Sequence, residues 1–412
     1  KLARLMITVA HQPDRIVTSK NPVLIKLTSD EAGQPNYRFK VVLTLNDLPD
    51  NLRATTVNLL EFPLNALGQF DLAAILDAFL NEVLYIAPDL AQTGAAWIEV
   101  SPGNICTFSV EISAQYGYPI TSSEDPITIP SSEAYIALRG GFAHPNWPEL
   151  KYIYEWLMQA ENNVPFLTWK PIKSLVSQAQ PEFLTYMYPY ATFGSARSVN
   201  LEVLIYYTDG TTATSTFTVQ EIETLRTYSI AVGVQQLSLH TVTPAKKISH
   251  YKVWVKESAT RKTVERFYYV DRNVYKAERF ILFANSLGGF DTVRCVGTGE
   301  FQSDYFRNMA DHYSGRYKRS EGTRRVILNE EQSGRKVNTG FISRADVHWL
   351  RDLFLSTEVY TVENGMLVPI EIVSKKFAMP EESDLNSLTI EYDYKFRNEV
   401  YTPLPQTVNW TP

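Results

Sequence analysis

The sequence predicts a mainly β, α+β protein with a few helices, built from several modules. Period-two alternation of apolar and polar residues recurs along the chain. It is plainest at Tyr37, Phe39, Val41, Leu43 and Leu45, and again at Leu388, Ile390, Tyr392, Tyr394 and Phe396. Tight-turn dipeptides, Asp209-Gly210 and Asn364-Gly365, separate other such runs. The chain also has 412 residues, more than one ordinary hydrophobic core organises.

An apolar share of 44% and a charged share of 20% are those of a folded chain. The formal charge of −6 gives no support for a nucleic-acid partner. The most basic stretch, Arg316-Tyr317-Lys318-Arg319 with Arg324-Arg325, reads as a solvated loop or an intersubunit contact. The chain carries 24 Tyr and 20 Phe, which suits pleated sheets and protein interfaces. Cys106 and Cys295 make neither a disulfide framework nor a metal cluster and read as buried free thiols. No apolar run approaches the ~20 residues that span a bilayer, so no membrane is expected. No signal-peptide core follows Lys1-Leu2-Ala3-Arg4, and the Asn409-Trp410-Thr411 sequon reads as chance.

The first module is expected at about residues 1–145. Strands are predicted at 5–9, 23–27, 37–45, 106–112 and 127–138, with turns at Asn21-Pro22 and Gln34-Pro35-Asn36. Residues 70–80 break this pattern. Leu72, Ile75, Leu76, Phe79 and Leu80 share one helical face, and Asp71 is placed to cap the helix.

The second module is expected at 146–275. A helix over 147–158 carries the stripe Leu150, Ile153, Tyr154, Leu157 and Met158, with Pro148 in its first turn. Residues 165–171 read as an extended linker or entry strand. Val199, Leu201, Val203, Ile205 and Tyr207 then alternate up to Asp209-Gly210, which predicts a type I′ hairpin returning over 211–219. Tyr251, Val253 and Val255 alternate likewise, and 267–270 is a last strand. This density of short strands points to an immunoglobulin- or fibronectin-like β-sandwich, without the Cys-Trp-Cys pattern of a true immunoglobulin domain.

The third module is expected at 276–412, as a small α+β domain. Residues 280–284 are an apolar strand, and Gly288-Gly289 a turn. Phe290 is assigned to the core, and Asn285 and Asp291 to loop hydrogen bonds. Residues 302–318 read as an exposed arm. Ser343 and Asp346 have capping-box spacing ahead of a helix whose apolar face is Val347, Leu350, Leu353 and Phe354.

Certain segments carry a resemblance. They are Asn21-Pro22, Thr28-Ser29-Asp30, Gln34-Pro35-Asn36-Tyr37-Arg38-Phe39 and Phe70-Asp71-Leu72, then Phe283-Ala284-Asn285-Ser286-Leu287-Gly288-Gly289-Phe290-Asp291, Leu353-Phe354-Leu355-Ser356 with Val359-Tyr360, and Ser387-Leu388-Thr389-Ile390-Glu391-Tyr392. In this order the chain resembles tail or baseplate structural proteins of tailed phages and prophages of Bacteroidota. The resemblance implies a virion location, a C-terminal tail-tube-like domain, homo-oligomerisation in a symmetric ring, and contacts to other tail or baseplate proteins.

No residue is assigned a catalytic, cofactor-binding or metal-binding role, and no cofactor is expected. His11, His144, His240, His250, His312 and His348 form no metal-ligand spacing, and His348 reads as a surface residue of the last helix. No nucleophile elbow, phosphate loop or dinucleotide fingerprint occurs. Asp304, Asp311 and Glu321 are the acids considered as a carboxylate pair, and a solvated loop is preferred for them. The expectation is therefore a non-enzymatic virion component. The alternatives are a host-surface or glycan receptor-binding protein and a glycan- or wall-cleaving enzyme. Aromatics gathered in one concave site would favour the receptor-binding reading, and aromatics spread over several surfaces the assembly reading.

Overall fold

The computed structural model describes residues 7–46, 54–80, 97–118, 122–123, 126–129, 133–143, 152–158, 160–190, 192–311, 315, 323–374, 377 and 385–400. The chain is mostly β with a few short helices, as the alternation requires. It divides into two compact units, residues 1–272 with 284–292, and residues 273–283 with 293–412.

Among the described residues the first unit holds four sheets. In one pair, a three-stranded sheet runs Ile7–His11, Leu24–Ser29, Leu67–Asp71. A larger sheet has the path Ile16–Thr18, Tyr135–Leu138, Ile105–Tyr116, Arg38–Asn46, Thr55–Glu61. Phe39, Val41, Leu43 and Leu45 are buried on alternate positions, and Arg38–Asn46 is paired on both sides. They share a core with Ile25, Leu27, Phe108 and Val110, and with Leu72, Leu76 and Leu80 of the helical stretch.

That helix is Ala73–Phe79. Its N-cap is Leu72, without a side-chain cap. Asp71 instead ends a strand, and its Oδ1 accepts from Ala73 N and Val23 N at 3.0 Å each. The expected single strand over 127–138 is two, Ile127–Ile129 and Tyr135–Leu138.

The second pair of sheets forms a sandwich. One face follows Lys173–Ser177, Arg266–Asp271, Ile248–Glu257, Ala196–Tyr207, Thr212–Thr216. The other is Phe183–Met187, Thr227–Ala231, Ile98–Val100. Leu201, Val203, Ile205, Tyr251, Val253 and Val255 meet Leu184, Tyr186 and Ile230 in one core.

The Asp209-Gly210 hairpin is not type I′. Only Gly210 has a positive φ, +82°. Gly210 N donates to Tyr207 O and Tyr207 N to Thr211 O, which is a type I turn closed by a glycine bulge. Asp209 Oδ1 accepts from Thr211 N at 2.9 Å and supports that shape.

A third cluster of the first unit gathers Ile16, Ile136, Leu138 and Leu287 around Ile153 and Leu157. Those last two belong to the helix Tyr152–Leu157; the earlier part of its expected span, 147–151, lies outside the described residues, as do His144 and His312.

The second unit is built on one seven-stranded sheet. Its order is Phe290–Cys295, Arg279–Ala284, Val359–Glu363, Met366–Ile372, Leu385–Asn398, Arg324–Ser343, Glu300–Asp311. Helix Arg344–Leu350 starts with the capping box foreseen for Ser343 and Asp346. It ends before Leu353 and Phe354, which belong to a separate 3₁₀ turn, Leu353–Leu355. Val347, Trp349 and Leu350 are buried, while His348 is exposed. Asn364 (φ +53°) and Gly365 (φ +76°) form the two-residue turn between Val359–Glu363 and Met366–Ile372, as type I′ requires.

Cys106 and Cys295 are buried and outside any disulfide, and burial pushes the Cys295 thiol up to about 12. A protonated, enclosed thiol is a poor nucleophile. Native protein at pH 8 will leave both cysteines unmodified by a disulfide reagent, and denaturant will expose both. A second test uses two glycines of positive φ. A Cβ on Gly210 would meet nothing within 4 Å, whereas one on Gly288 would stand 2.6 Å from Arg139 O. Gly210→Ala will cost about 1–2 kcal/mol, the left-handed penalty alone, and Gly288→Ala more, as read from thermal midpoints.

Candidate functional site

Strand Glu300–Asp311 and the first half of Arg324–Ser343 form a ribbon in the second unit. The two pair from Glu300↔Lys336 out to Asp311↔Arg324. Leu385–Asn398 joins the far side only from Glu331 onward. Beyond that point the ribbon is two-stranded, and its residues 306–311 and 324–329 are exposed with the single exception of Ala310, which is half-buried. The expected exposed arm is thus ordered β structure up to Asp311; residues 312–314 and 316–318 lie outside the described residues, and with them most of the basic stretch.

Alternation places Phe301, Tyr305, Met309 and Val326 on one face of this ribbon and Phe306 and Leu328 on the other. Tyr305 is 63% exposed, Phe306 51% and Ile327 66%. Ile327 sits at the register shift opposite Asn308 and Met309. Polar residues frame the apolar ones: Arg307 Nε donates to Asn329 Oδ1 at 3.0 Å, and Arg324 pairs with Asp311 at 3.2 Å. Asp304 and Asp311 therefore stand on a solvated ribbon; Glu321 lies outside the described residues. A two-stranded ribbon with both faces wet is marginal in water, and this one exposes large apolar side chains on both faces.

A second aromatic surface lies on the outer side of the large sandwich sheet in the first unit. Tyr206 and His250 stack at 4.3 Å, Tyr269 tilts against His250 at 5.5 Å, and Lys252 Nζ stands 4.6 Å from the Phe267 ring. Burial and the Lys252 charge hold the His250 imidazole below its ordinary range.

The first unit also has a groove of about 230 Å³ lined by His11, Asp14, Asn21, Lys26 and Phe142, among others. Burial and the Glu155 charge raise the Asp14 carboxyl, with His11 opposing. Tyr135 donates to Gln12 Oε1 at 3.4 Å, and burial together with Asp14 pushes its phenol up to about 12. Phe142 is the one Phe, Tyr or Trp in this lining.

The densest buried chemistry, also in the first unit, was not foreseen. Of the two expectations for residues 165–171, the entry strand is absent; the segment is an irregular connection, and a buried one at Phe166, Leu167, Thr168 and Lys170. Lys170 Nζ contacts Glu182 Oε1 and donates to Thr292 O at 2.9 Å. Gln180 Nε2 donates to Glu182 Oε2 at 2.9 Å. Thr168 Oγ1 lies 2.7 and 2.8 Å from the two oxygens of Asp291 and accepts from Lys170 N at 3.0 Å. Arg266 donates to Lys170 O and Pro171 O. Asp291 is 1% exposed, so it is a buried carboxylate and not merely a loop acceptor. Burial raises the Glu182 carboxyl; Lys170 opposes that and Asp291 adds to it.

The turn ahead of Asp291 holds this arrangement. Asn285 Oδ1 accepts from Leu287 N and Gly289 N, each at 3.0 Å, and its Nδ2 donates to Leu167 O at 3.0 Å. The loop role read for Asn285 and the core role read for Phe290 both stand. Among the described residues no group of His, Cys, Asp and Glu is arranged to hold a metal ion, and no helix is long and apolar enough to cross a membrane.

No protein-family model and no curated protein matches the chain. Solved structures with partial likeness include CBD12 from CALX1.2, at 9% identity and a TM-score of 0.18, covering 61% of this chain and 79% of that one. Squid arrestin gives 11% identity and a TM-score of 0.18, covering 66% and 96%. Scores of that size carry no inference about fold or activity.

Replacing Thr168 by Val leaves the buried Asp291 carboxylate one donor short. That change will cost about 1–3 kcal/mol in denaturant unfolding, while Thr168→Ser, which keeps the hydroxyl, will cost less.

Proposed function

We propose that the chain is a structural subunit of a phage virion, in the tail or baseplate, that assembles through self-contacts in a symmetric ring and through contacts to other tail proteins. The observation that supports this most is the ribbon, with large apolar side chains on both faces and no cover among the described residues. Such a surface gains more from a protein partner than from water. Within the ribbon the exposed aromatics also divide between opposite faces, Phe301 and Tyr305 on one and Phe306 on the other, in place of one concave site. That distribution favours assembly over the alternative of a glycan receptor-binding protein. The order of motifs shared with tail and baseplate proteins supplies the virion context.

Edge strands give self-association a physical route. Glu300–Asp311 ends its sheet, so its outer backbone groups can pair with a strand of a neighbouring subunit. A ring needs head-to-tail contacts, in which this ribbon meets a different surface of the next copy.

Immunogold labelling of purified particles tests the location. Label at the tail or its distal end is expected, and absence of label on both intact and opened particles would remove the virion reading. Tyr305→Asp and Ile327→Asp test the surface. Each will weaken association in sedimentation velocity at least tenfold, about 1.4 kcal/mol, without lowering the thermal midpoint. Unchanged association in both variants would show that the ribbon is not the contact.

A further inference from the structure

Lys170 and Glu182 meet in an enclosure almost free of solvent; their side chains are 5% and 0% exposed. Neighbouring groups hold each partner in place. Lys170 Nζ is steered by Thr292 O at 2.9 Å as well as by Glu182. Glu182 is held at its carboxyl by Gln180 and at its backbone N–H by Gln236 Oε1, at 2.8 Å. Gln236 Oε1 also accepts from Gly233 N at 3.0 Å, and Gln180 Oε1 from Ser177 N at 3.3 Å. An amine is therefore fixed against a carboxyl with few alternative positions for either.

We propose that Lys170 and Glu182 condense to an intramolecular amide, a side-chain cross-link closing the segment between them. The ammonium first passes one proton to the carboxylate, which leaves a neutral amine facing a carboxylic acid. The nitrogen lone pair attacks Cδ of Glu182, forming the C–N bond. The C–OH bond then breaks, and the hydroxyl leaves as water with the second proton from nitrogen. The net change is R–NH₃⁺ plus R′–COO⁻ to R–NH–CO–R′ plus H₂O, with no change of oxidation state and no co-reactant.

Three features of the site favour this reaction. Held in contact, the two groups react as one molecule, where effective molarities reach about 10⁵–10⁸ M. Exclusion of water removes the reagent for the reverse step. The neutral carboxyl needed for attack is favoured by burial and by the nearby Asp291 charge, which both disfavour a carboxylate at Glu182. Arg266, donating to Lys170 O and Pro171 O, fixes the backbone that carries the amine.

Intact mass and peptide mapping of the full chain test the bond directly. Trypsin does not cut at Lys170, which precedes Pro171, so Lys170 lies in peptide 152–173 and Glu182 in peptide 174–197. The expected protein is one water lighter than its sequence, and those two peptides are recovered joined after reduction and denaturation. Lys170→Arg restores the sequence mass and separates the peptides. The sequence mass with both peptides free, in correctly folded wild-type protein, would make the pair an ion pair only. Recovery of 152–173 joined to 280–294 would put the bond on Asp291 and overturn the assignment to Glu182. A water loss that persists in Lys170→Arg, without joined peptides, would overturn the cross-link altogether.

Discussion

An extended chain sends alternate side chains to opposite faces, and every sheet here depends on that constraint. In Arg38–Asn46 it buries Phe39, Val41, Leu43 and Leu45 and turns Lys40, Val42 and Thr44 the other way. At ~1.5–3 kcal/mol for each buried side chain, a slip of one residue would forfeit the whole row. Strands on both sides then lock the register by backbone hydrogen bonds. The same rule sets Ala196–Tyr207 and Ile248–Glu257 face to face with Leu184 and Ile230 across a sandwich. In Leu385–Asn398 it buries Leu388, Ile390 and Tyr392, and fades toward Phe396, where the sheet runs out of cover.

Where a local pattern decides the structure, the sequence is readable. The strands above, the Asn364-Gly365 turn and the capping box at Ser343 depend on residues within a few positions of one another. Asp209-Gly210 does not decide its own turn type, because the dipeptide suits two loops. A three-residue loop with one left-handed glycine needs only Gly210, and Asp209 stabilises it through Thr211. Asp71 is not the N-cap residue, yet its oxygen does accept from the helix's first N–H, and it serves a strand partner, Val23, as well. The buried cluster was invisible for a different reason. Thr168 and Asp291 are 123 residues apart, and Lys170 and Thr292 are 122 apart. No periodicity marks residues 165–171, and several groups of their irregular backbone, Leu167 N and the carbonyls of Leu167, Lys170 and Pro171 among them, find partners far along the chain or outside the segment.

The ribbon and the buried cluster run against that rule. The ribbon puts Tyr305, Phe306 and Ile327 into water, and the cluster puts Lys170, Glu182 and Asp291 out of it. Neither is the cheapest solution for a chain that needs only to fold. Exposed apolar area recovers its hydration cost when a partner covers it. A buried ion pair is often no more stabilising than apolar residues of the same volume. Under the two proposals made above, association accounts for the ribbon and amide formation for the cluster.

Asn285 shows how a turn with little apolar content of its own can hold such a cluster. Its backbone N–H donates to Gly289 O, its side-chain oxygen takes two backbone donors, and its side-chain nitrogen donates to Leu167 O. An aspartate there would keep the two acceptor bonds but set a charged oxygen against Leu167 O, where the amide now donates. Gly289 is equally constrained, because a Cβ would lie 2.5 Å from Thr185 Oγ1 and 2.9 Å from Leu167 O. The turn therefore grips residue 167 from two positions. Thr168 follows directly and reaches Asp291, and Lys170 follows two residues later and reaches Glu182. The placement of the buried amine therefore depends on a single side-chain amide and the absence of one methyl group as well as on Arg266 and Thr292.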